Sequence, residues 1–396
     1  MGSESVLAND RRGKQLPIPR DALLELPPSL ETRIAEVARG LPGSATVDVA
    51  AAVSETSRAY TQERGRLTKV ATQTASHVAR LRFFLPRDLP KAMDVLRDLD
   101  ARGRLPRRET LRVLDLGAGL GTTTLSLARY AHVAGLASKL RVRAVDVDAA
   151  ALAIAAKVAR SLEGFADLEL ETRTGDLRKI AAAPEGPWDL VLIGLALNEL
   201  GEDANARASL LGSLVGALAE DGVVVVIEPA LRETSRALMA VRDVVAASGL
   251  ATIEAPCLGT GPCPMLASGE RDWCHVELPG ELSGSVAALA REAGLRDDAP
   301  TYARLALSRP TRASAEVPEG ALRLVSAPLG SKGRTELHAC GASGSVRLVE
   351  LDRDAREHRH PLGSLRRGAL VTVEGATPKG DGLRLGAEAR LEVVVD

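Results

Sequence analysis

The chain has 396 residues, of which 45% are hydrophobic and only 2% are aromatic, and its formal net charge is -1. This length and apolar content are sufficient for two or three globular domains. The scarcity of aromatic residues argues against an RNA-binding platform built on base stacking, and the near-neutral charge argues against a general nucleic-acid coat.

The amino-terminal segment, MGSESVLANDRRGKQLP, contains no apolar core of a secretory signal. Later apolar runs are too short or too interrupted by charge to span a bilayer. We therefore expect a cytoplasmic protein that makes no membrane contact. In that reducing compartment, four cysteines favour metal ligands or free thiols over two disulfides.

Residues 1–108 form a predicted N-terminal helical region, because SLETRIAEVARGL and TASHVARLRFFL repeat apolar residues at three- and four-residue steps. From Arg58 to Arg108 there are thirteen basic and five acidic residues. This excess favours either phosphate contacts or a solvated helical face balanced by acids elsewhere in the fold. The candidates for phosphate contacts are Arg80, Arg82, Arg107 and Arg108.

Residues 109–310 are predicted to form an α/β domain. Short apolar segments such as LRVLDLG, LRVRAVDVD, WDLVLIG and GVVVVIEP alternate with alanine-rich helical segments, which is typical of a doubly wound parallel sheet. A cysteine-rich loop is expected over residues 255–280. Residues 311–396 contain five predicted short strands joined by glycine-containing turns, and these indicate a small β barrel or sandwich.

The first strand of this domain runs directly into a glycine-rich loop, GAGLGTTT, with Gly117, Gly119 and Gly121 at the turn into a helix. Glycine allows a ligand to approach the backbone closely and permits positive φ angles. Asp115 precedes the loop, where its carboxylate could orient the loop or accept from a ligand ammonium group through water. We therefore predict a ligand site at this turn.

Polar residues also follow the next three strands, and the carboxyl ends of parallel strands share one edge of the sheet. Asp146 ends the second strand, where an acid can accept from ribose hydroxyls. Asp176 follows the third strand and could accept from an adenine amino group. After the fourth strand, Glu199 is the candidate for proton removal or substrate positioning, with Asn198 beside it, although both residues could simply brace the loop.

The spacing G-x-G-x-G resembles that of S-adenosylmethionine-dependent methyltransferases more than the G-x-G-x-x-G of nicotinamide proteins. The segments VLDLGAGLGT, AVDVD, GDL and the stretch from Asp221 to Pro229 follow the order of that superfamily's motifs. The resemblance implies a class I, Rossmann-like methyltransferase sheet that binds S-adenosylmethionine.

The four cysteines are Cys257, Cys263, Cys274 and Cys340, and the first three lie in a segment rich in proline and glycine. Their irregular spacing disfavours a zinc finger or ribbon, whereas an iron-sulfur cluster tolerates such spacing. Zinc stays an alternative. Two other interpretations of the cysteines remain. Cys257 could be the nucleophile of a cytosine-5 RNA methyltransferase, or all four cysteines could be unrelated buried thiols.

Taken together, PCLGTGPCPM, DWCH, TYARLAL and the pair Cys340-Gly341 resemble the mitochondrial small ribosomal subunit methyltransferase-like assembly factors and their bacterial relatives, over about residues 70–370. The resemblance implies a [4Fe-4S] cluster held by the four cysteines and association with the small ribosomal subunit or its rRNA. The chain departs from that pattern at Leu120, where proline is frequent, and in the ten residues between Cys263 and Cys274.

Three functions follow from these observations. The first is an rRNA methyltransferase of the small subunit, and the second is a non-catalytic assembly factor that keeps the fold and the cluster. The third is a small-molecule methyltransferase, which would turn over without RNA.

Overall fold

A computed structural model of the chain describes residues 25–63, 70, 72–182, 184–201, 203–278, 280, 282, 284–296, 300–313 and 317–396. Three basic residues of the N-terminal excess, Arg64, Arg66 and Lys69, lie outside this set, as do residues 1–24 of the predicted helical region.

The described N-terminal residues are helical, as the sequence predicts. The helices are α1 (Pro28–Arg39), α2 (Val49–Thr61), α3 (Thr74–Ala79) and α4 (Leu85–Ala101), and a 3-10 turn spans Ser44–Thr46. A π-helical turn, Arg80–Phe84, joins α3 to α4. The prolines at positions 86 and 90 donate no backbone hydrogen bond, which weakens the regular ladder in this part of the helix. Leu81, Leu85 and Leu89 pack into the same core as the main sheet.

The main sheet contains β1 (Thr110–Leu116), β2 (Lys139–Asp146), β3 (Asp167–Thr174), β4 (Trp188–Gly194), β5 (Leu218–Pro229), β6 (Thr252–Ala255), β7 (Val276–Glu277) and β8 (Thr301–Ser308). The strand order is β3-β2-β1-β4-β5-β8-β6, with β7 paired to β8. Strands β1 to β5 are parallel, and β8 is antiparallel to β5, β6 and β7. This order confirms the class I methyltransferase-like fold: β1 to β5 form the predicted parallel sheet, and β6, β7 and β8 add antiparallel pairings.

Helices cover both faces of this sheet. They are α5 (Thr122–Val133), α6 (Ala149–Val158), α7 (Leu177–Ala182), α8 (Ala204–Gly216), α9 (Arg232–Ser248), α10 (Pro264–Ala267) and α11 (Gly284–Glu292), with a 3-10 turn at Leu197–Glu199. Alternate side chains of β4 enter opposite cores, with Leu190 and Leu192 on one face and Val191 and Ile193 on the other. The apolar composition of β4 and β5 thus reflects burial on both sides.

The C-terminal strands form a second sheet. They are β9 (Ala321–Leu324), β10 (Leu329–Ser331), β11 (Arg334–Gly341), β12 (Gly344–Leu351), β13 (Leu370–Glu374), β14 (Thr377–Lys379), β15 (Gly382–Leu385) and β16 (Arg390–Val395). Their order is β14-β15-β12-β11-β9-β13-β16, with β10 on β11. Helix α12 (Asp352–Ala355) and a 3-10 turn (Leu362–Ser364) follow β12. The five predicted strands are present, and three short ones were missed.

Helix α4 connects the two sheets through buried charges. Asp98 on α4 accepts from Arg323 on β9 at 3.0 Å and from Arg102 at 3.1 Å. Burial would raise the pKa of Asp98, but Arg323, Arg304 and Arg102 together lower it below its usual value. Helix α4, which belongs to the predicted N-terminal region, therefore contacts residues of both sheets. The domain boundaries at residues 108 and 310 stay a prediction. None of the described helices is both long and apolar enough to cross a membrane.

Candidate functional site

A cleft of about 1460 Å³ opens at the carboxyl edge of the main sheet, and we call it the cofactor cleft. Its lining combines the glycine loop, the ends of the strands and residues of the N-terminal helices. Of the residues selected from the sequence, it includes Gly117, Gly119, Asp146, Asp176, Asn198, Glu199 and Arg80. The structure therefore brings most of the predicted ligand-binding residues to one cavity.

The glycine loop is held in a conformation that requires glycine. The φ angles of Gly117, Gly119 and Gly121 are +71°, +52° and +81°. A Cβ on Gly117 would lie 2.4 Å from the Cβ of Ala196, far inside van der Waals contact. Gly121 is the N-cap residue of α5 and is absent from the lining of the cleft. Gly121 therefore shapes the turn, while Gly117 and Gly119 face the cavity.

Asp115 lies beneath the glycine loop and is fully buried. Its carboxylate accepts from the hydroxyl of Thr123 at 2.7 Å and from that of Thr124 at 2.6 Å. Burial raises the pKa of Asp115 to about 6, although both threonines counteract the shift. Of the two roles expected from the sequence, the structure favours orientation of the loop over contact with a ligand.

Asp146, the last residue of β2, and Asp176, which follows β3, both line the cleft. Asp146 accepts from the backbone N–H of Gly119 and from that of Asp148, each at 2.8 Å. Asp176 pairs with Arg178 at 2.7 Å, and hydrogen bonds from Arg178 lower the pKa of Asp176 to about 2. Each carboxylate oxygen can accept a second hydrogen bond. Asp146 therefore keeps acceptor capacity for a ligand, whereas both oxygens of Asp176 already accept two hydrogen bonds each from Arg178.

Asn198 and Glu199 lie in the 3-10 turn after β4 and differ in their surroundings. The side-chain amide of Asn198 donates to the carboxylate of Glu228 and, at 3.2 Å, to the carbonyl of Leu195. Glu199 is exposed at the cleft. Asn198 therefore braces the strand ends, and Glu199 is the better placed of the two to meet a substrate.

The sequence analysis matched the stretch that contains Glu228 but did not select this residue for the site; Glu228 is the second-last residue of β5 and is almost completely buried. Burial raises its pKa to about 7, while the hydrogen bonds from Asn198 counteract the shift. The sequence signal for this buried acid was that Glu228 directly follows five consecutive aliphatic residues of a predicted strand. Such a position forces the carboxyl group into an apolar environment.

Replacement of Glu228 by glutamine is expected to change how stability depends on pH. The folded-state pKa, about 7, exceeds the ordinary 4.5, so the group's contribution is complete below about pH 4.5 and is lost as the pH rises through about 7. Between about pH 5 and about pH 8, we expect the unfolding free energy of the wild type to fall by up to about 3 kcal/mol relative to Glu228→Gln. Urea unfolding measures this difference. Glu292→Gln, at an exposed site on α11, is the control, and a pH-independent difference would contradict the role of burial.

The four candidate phosphate-binding arginines have different environments. The side chain of Arg80 is only 15% exposed and turns into the cleft, where its guanidinium lies 3.7 Å from Asp148. Arg107 pairs with Asp100 at 2.7 Å, and Arg108 pairs with Asp189 at 2.9 Å and with Asp221. Arg82 is exposed on the π-helical turn. The four arginines thus do not form one surface that could contact consecutive phosphates of an RNA backbone.

The four cysteines line a second cavity, of about 180 Å³, which we call the cysteine cavity. Cys257 and Cys263 follow β6, Cys274 precedes β7, and Cys340 is near the end of β11. The coil approaches the second sheet closely, because a Cβ on Gly259 would lie 2.4 Å from the carbonyl oxygen of Ala342. The structure therefore brings the distant Cys340 to the three earlier thiols.

Arginine side chains surround this cavity. Arg242, Arg304 and Arg323 contribute to its lining. Arg242 donates to the carbonyls of Gly259 and Gly261, and its positive charge lowers the pKa of Cys257 against the effect of burial. Burial, together with the neighbouring thiols, raises the pKa of Cys274 and of Cys340 to about 12. Without a metal, these cysteines are neutral thiols at physiological pH.

No set of three or more His, Cys, Asp or Glu side chains among the described residues is arranged to hold a metal ion. A single tetrahedral zinc ion with bonds of about 2.3 Å needs thiolates about 4 Å apart. The described thiols thus do not form a zinc site. The cavity is nevertheless lined by four cysteines, and four thiolates are the usual donor set of an iron-sulfur cluster.

Cys257 lines the cysteine cavity and is absent from the lining of the cofactor cleft. Burial raises the pKa of its thiol, although Arg242 counteracts the shift. A nucleophilic cysteine requires access to the substrate and a depressed pKa. The structure therefore gives no support to Cys257 as the nucleophile of a cytosine-5 methyltransferase.

Comparison with known proteins gives one family. The model of the family described as mitochondrial small ribosomal subunit Rsm22 matches residues 89–360, which is more than half of the chain. No curated protein sequence matches the chain.

Solved structures of low similarity include an S-adenosylmethionine-dependent methyltransferase from Clostridium acetobutylicum, with 11% identity over 65% of this chain and 70% of that chain and a TM-score of 0.27. A protein described as a class I S-adenosylmethionine-dependent methyltransferase from Listeria monocytogenes has 12% identity over 76% of this chain and 91% of that chain, with a TM-score of 0.39. These similarities are remote, and the assignment of the fold rests on the strand order.

Proposed function

The chain belongs to the mitochondrial small ribosomal subunit Rsm22 family, and from this membership we propose that it is an S-adenosylmethionine-dependent methyltransferase-like protein of the small ribosomal subunit. The observation that carries the proposal is the cofactor cleft, in which Gly117, Gly119, Asp146 and Asp176 meet at the carboxyl edge of a class I sheet. The sequence leads us to expect a cytoplasmic protein, whereas the family is described as mitochondrial. The cytoplasmic location therefore stays a prediction.

The residues of the cleft fit the proposed cofactor. The glycine loop gives close access to the backbone, and Asp146 keeps a free lone pair on each oxygen for ribose hydroxyls. Asp176 stays ionised at neutral pH and would accept from an adenine amino group once the exposed side chain of Arg178 turns away from it. When bound, S-adenosylmethionine supplies an electrophilic methyl group. Glu199 would then position the substrate or remove its proton at the rim of the cleft.

Asp146→Ala is expected to weaken binding of S-adenosylmethionine by about 10- to 100-fold. The substitution removes the proposed ribose acceptor, and it also removes the carboxylate that holds the N–H of Gly119. Isothermal titration calorimetry measures the dissociation constant. Asp167→Ala, at the exposed start of β3, is the matched control. Equal affinity of the two variants would contradict the role of Asp146.

We also propose that the four cysteines hold a [4Fe-4S] cluster. The thiols of Cys257, Cys263, Cys274 and Cys340 line one cavity, and three arginines around it supply positive charge for an anionic group. The cluster would tie the coil after β6 to the second sheet. In this proposal the cluster has a structural role, and transfer of the methyl group depends on the cofactor cleft alone.

A non-catalytic assembly factor is the second candidate, and one observation favours it. The amide of Asn198 is engaged by Glu228 and Leu195, so of the two residues selected as catalytic, only Glu199 is placed to meet a substrate. Transfer of a labelled methyl group to immature small subunits separates the candidates. A catalytic protein labels rRNA and loses this activity in Glu199→Ala, whereas a scaffold binds the cofactor and labels nothing. Labelling of small molecules without RNA would indicate the third function, a small-molecule methyltransferase.

The proposed contact with rRNA includes Arg82, which is exposed on the π-helical turn beside the cleft. The internal ion pairs of Arg107 and Arg108 leave them less available for phosphate, although both side chains remain about two-fifths exposed. Arg80 faces the cleft and would meet a phosphate only within it.

A further inference from the structure

Arg304 is a buried cation whose hydrogen-bonding groups are unused. It lies on β8 of the main sheet, and its side chain is 1% exposed. None of its three guanidinium nitrogens has a hydrogen-bond partner among the described residues. A buried guanidinium without acceptors is costly, so the position calls for an acceptor that the protein alone does not provide.

Nearby carboxylates do not fill this role. Asp98 lies 3.5 Å from a guanidinium nitrogen of Arg304, and Asp94 lies 4.0 Å from another. Both distances suit electrostatic attraction but are too long for good hydrogen bonds. The carboxylate of Asp98 already accepts from Arg323 and Arg102, and that of Asp94 accepts from the hydroxyl of Tyr302. The acids therefore stabilise the charge of Arg304 and leave its N–H groups available.

The remaining neighbour of Arg304 is the cysteine cavity, which it lines together with all four thiols. An iron-sulfur cluster with four thiolates is an anionic group, and its sulfur atoms accept hydrogen bonds. Arg242 also lines the cavity, but its guanidinium donates hydrogen bonds to the carbonyls of Gly259 and Gly261 and to the carboxylate of Asp243. Arg304 thus has all three guanidinium nitrogens unused, whereas among the described residues Arg242 leaves only its Nε without a partner and Arg323 leaves none.

We propose that Arg304 donates hydrogen bonds to the inorganic centre in the cysteine cavity and that its buried positive charge raises the reduction potential of that centre. The inference rests on the proposed cluster. One-electron reduction adds a negative charge to the centre, and a fixed cation beside it stabilises the reduced form more than the oxidised form. Asp94 and Asp98 hold Arg304 charged at this position, so helix α4 takes part in setting the potential.

Arg304→Met and Arg304→Gln test this role after anaerobic purification. Both variants remove the charge, and the glutamine variant keeps an N–H donor. Iron and sulfide content is measured first, and then the reduced fraction is followed by electron paramagnetic resonance during titration with dithionite. We expect the ratio of reduced to oxidised cluster at a fixed potential to fall by about tenfold, which corresponds to about 59 mV for a one-electron couple.

Arg97→Met is the matched control. Arg97 is equally buried and lies on α4 beside Asp94, but it does not line the cysteine cavity. If both Arg304 variants lost their iron while Arg97→Met kept its iron, this result would also support a direct contact between Arg304 and the cluster. A folded and loaded Arg304 variant with the wild-type potential would overturn the inference. Absence of iron from the wild type would instead refute the proposed cluster, so the two failures are distinguishable.

Discussion

Cys340→Ser is expected to abolish iron loading of the anaerobically purified protein. Cys340 is the cysteine that the second sheet contributes to the cysteine cavity. Removing one of four thiolate ligands should cost more than the roughly 10- to 100-fold that loss of an outer-shell partner costs. The variant should also unfold at a lower temperature, because the proposed cluster links the coil after β6 to the β11–β12 turn.

Ser343→Ala provides the control for this experiment, since Ser343 lines the same cavity without a thiol. Its iron content and melting temperature should match those of the wild type. If Cys340→Ser retained the wild-type iron and sulfide content, Cys340 would not be a ligand, and the remaining three cysteines would have to hold the metal.

Gly117→Ala is expected to destabilise the fold and to prevent binding of S-adenosylmethionine. A side chain at φ +71° is strained by about 1–2 kcal/mol, and the contact at 2.4 Å with Ala196 adds about 1–3 kcal/mol of overpacking. Any relief requires movement of the glycine loop or of the turn after β4, and both line the cleft. Thermal unfolding and calorimetric titration measure the two effects.

Gly135→Ala separates backbone strain from close packing. Gly135 has a similar φ angle, +58°, but a Cβ there meets nothing within 4 Å. This control should lose only about 1–2 kcal/mol and should bind the cofactor with wild-type affinity. Equal destabilisation by the two substitutions would mean that the contact with Ala196 does not restrict the loop.

Helix α4 and the π-helical turn before it run between the two candidate sites. Arg80 and Lys91 line the cofactor cleft, whereas Asp94 and Asp98 lie within 4.0 Å of Arg304, which lines the cysteine cavity. A single continuous element thus lines the cofactor cleft and contacts Arg304, one of the residues that line the cysteine cavity. The N-terminal helices also share a hydrophobic core with the main sheet.

The sequence was most informative where burial is uniform. The apolar runs of β1, β4 and β5 and the glycine loop between β1 and α5 identify the sheet and its ligand edge, because strands buried on both faces are continuously apolar. The direction of β8 was not predictable, since TYARLALS has the composition of a buried strand in either orientation. The short strands β10, β14 and β15 were missed because three or four residues with glycine or proline give no alternation.

The candidate sites were predictable in outline but not in their charged partners. Spacing indicated four cysteines that could share one centre, and the fold brings them to one cavity. Arg304 gave no signal, because a lone arginine in a strand reads as a solvent-facing residue. Arg80 was selected as a candidate phosphate contact, and no local pattern reveals that α3 and the π-helical turn direct its side chain into the cleft.

Sedimentation with small ribosomal subunits tests the central claim most directly. The wild-type chain, loaded with labelled S-adenosylmethionine, is centrifuged through a sucrose cushion with immature small subunits and, separately, with large subunits. The account predicts that chain and label pellet together with the small subunits only. A chain that binds the label but stays in the supernatant at low ionic strength would contradict it.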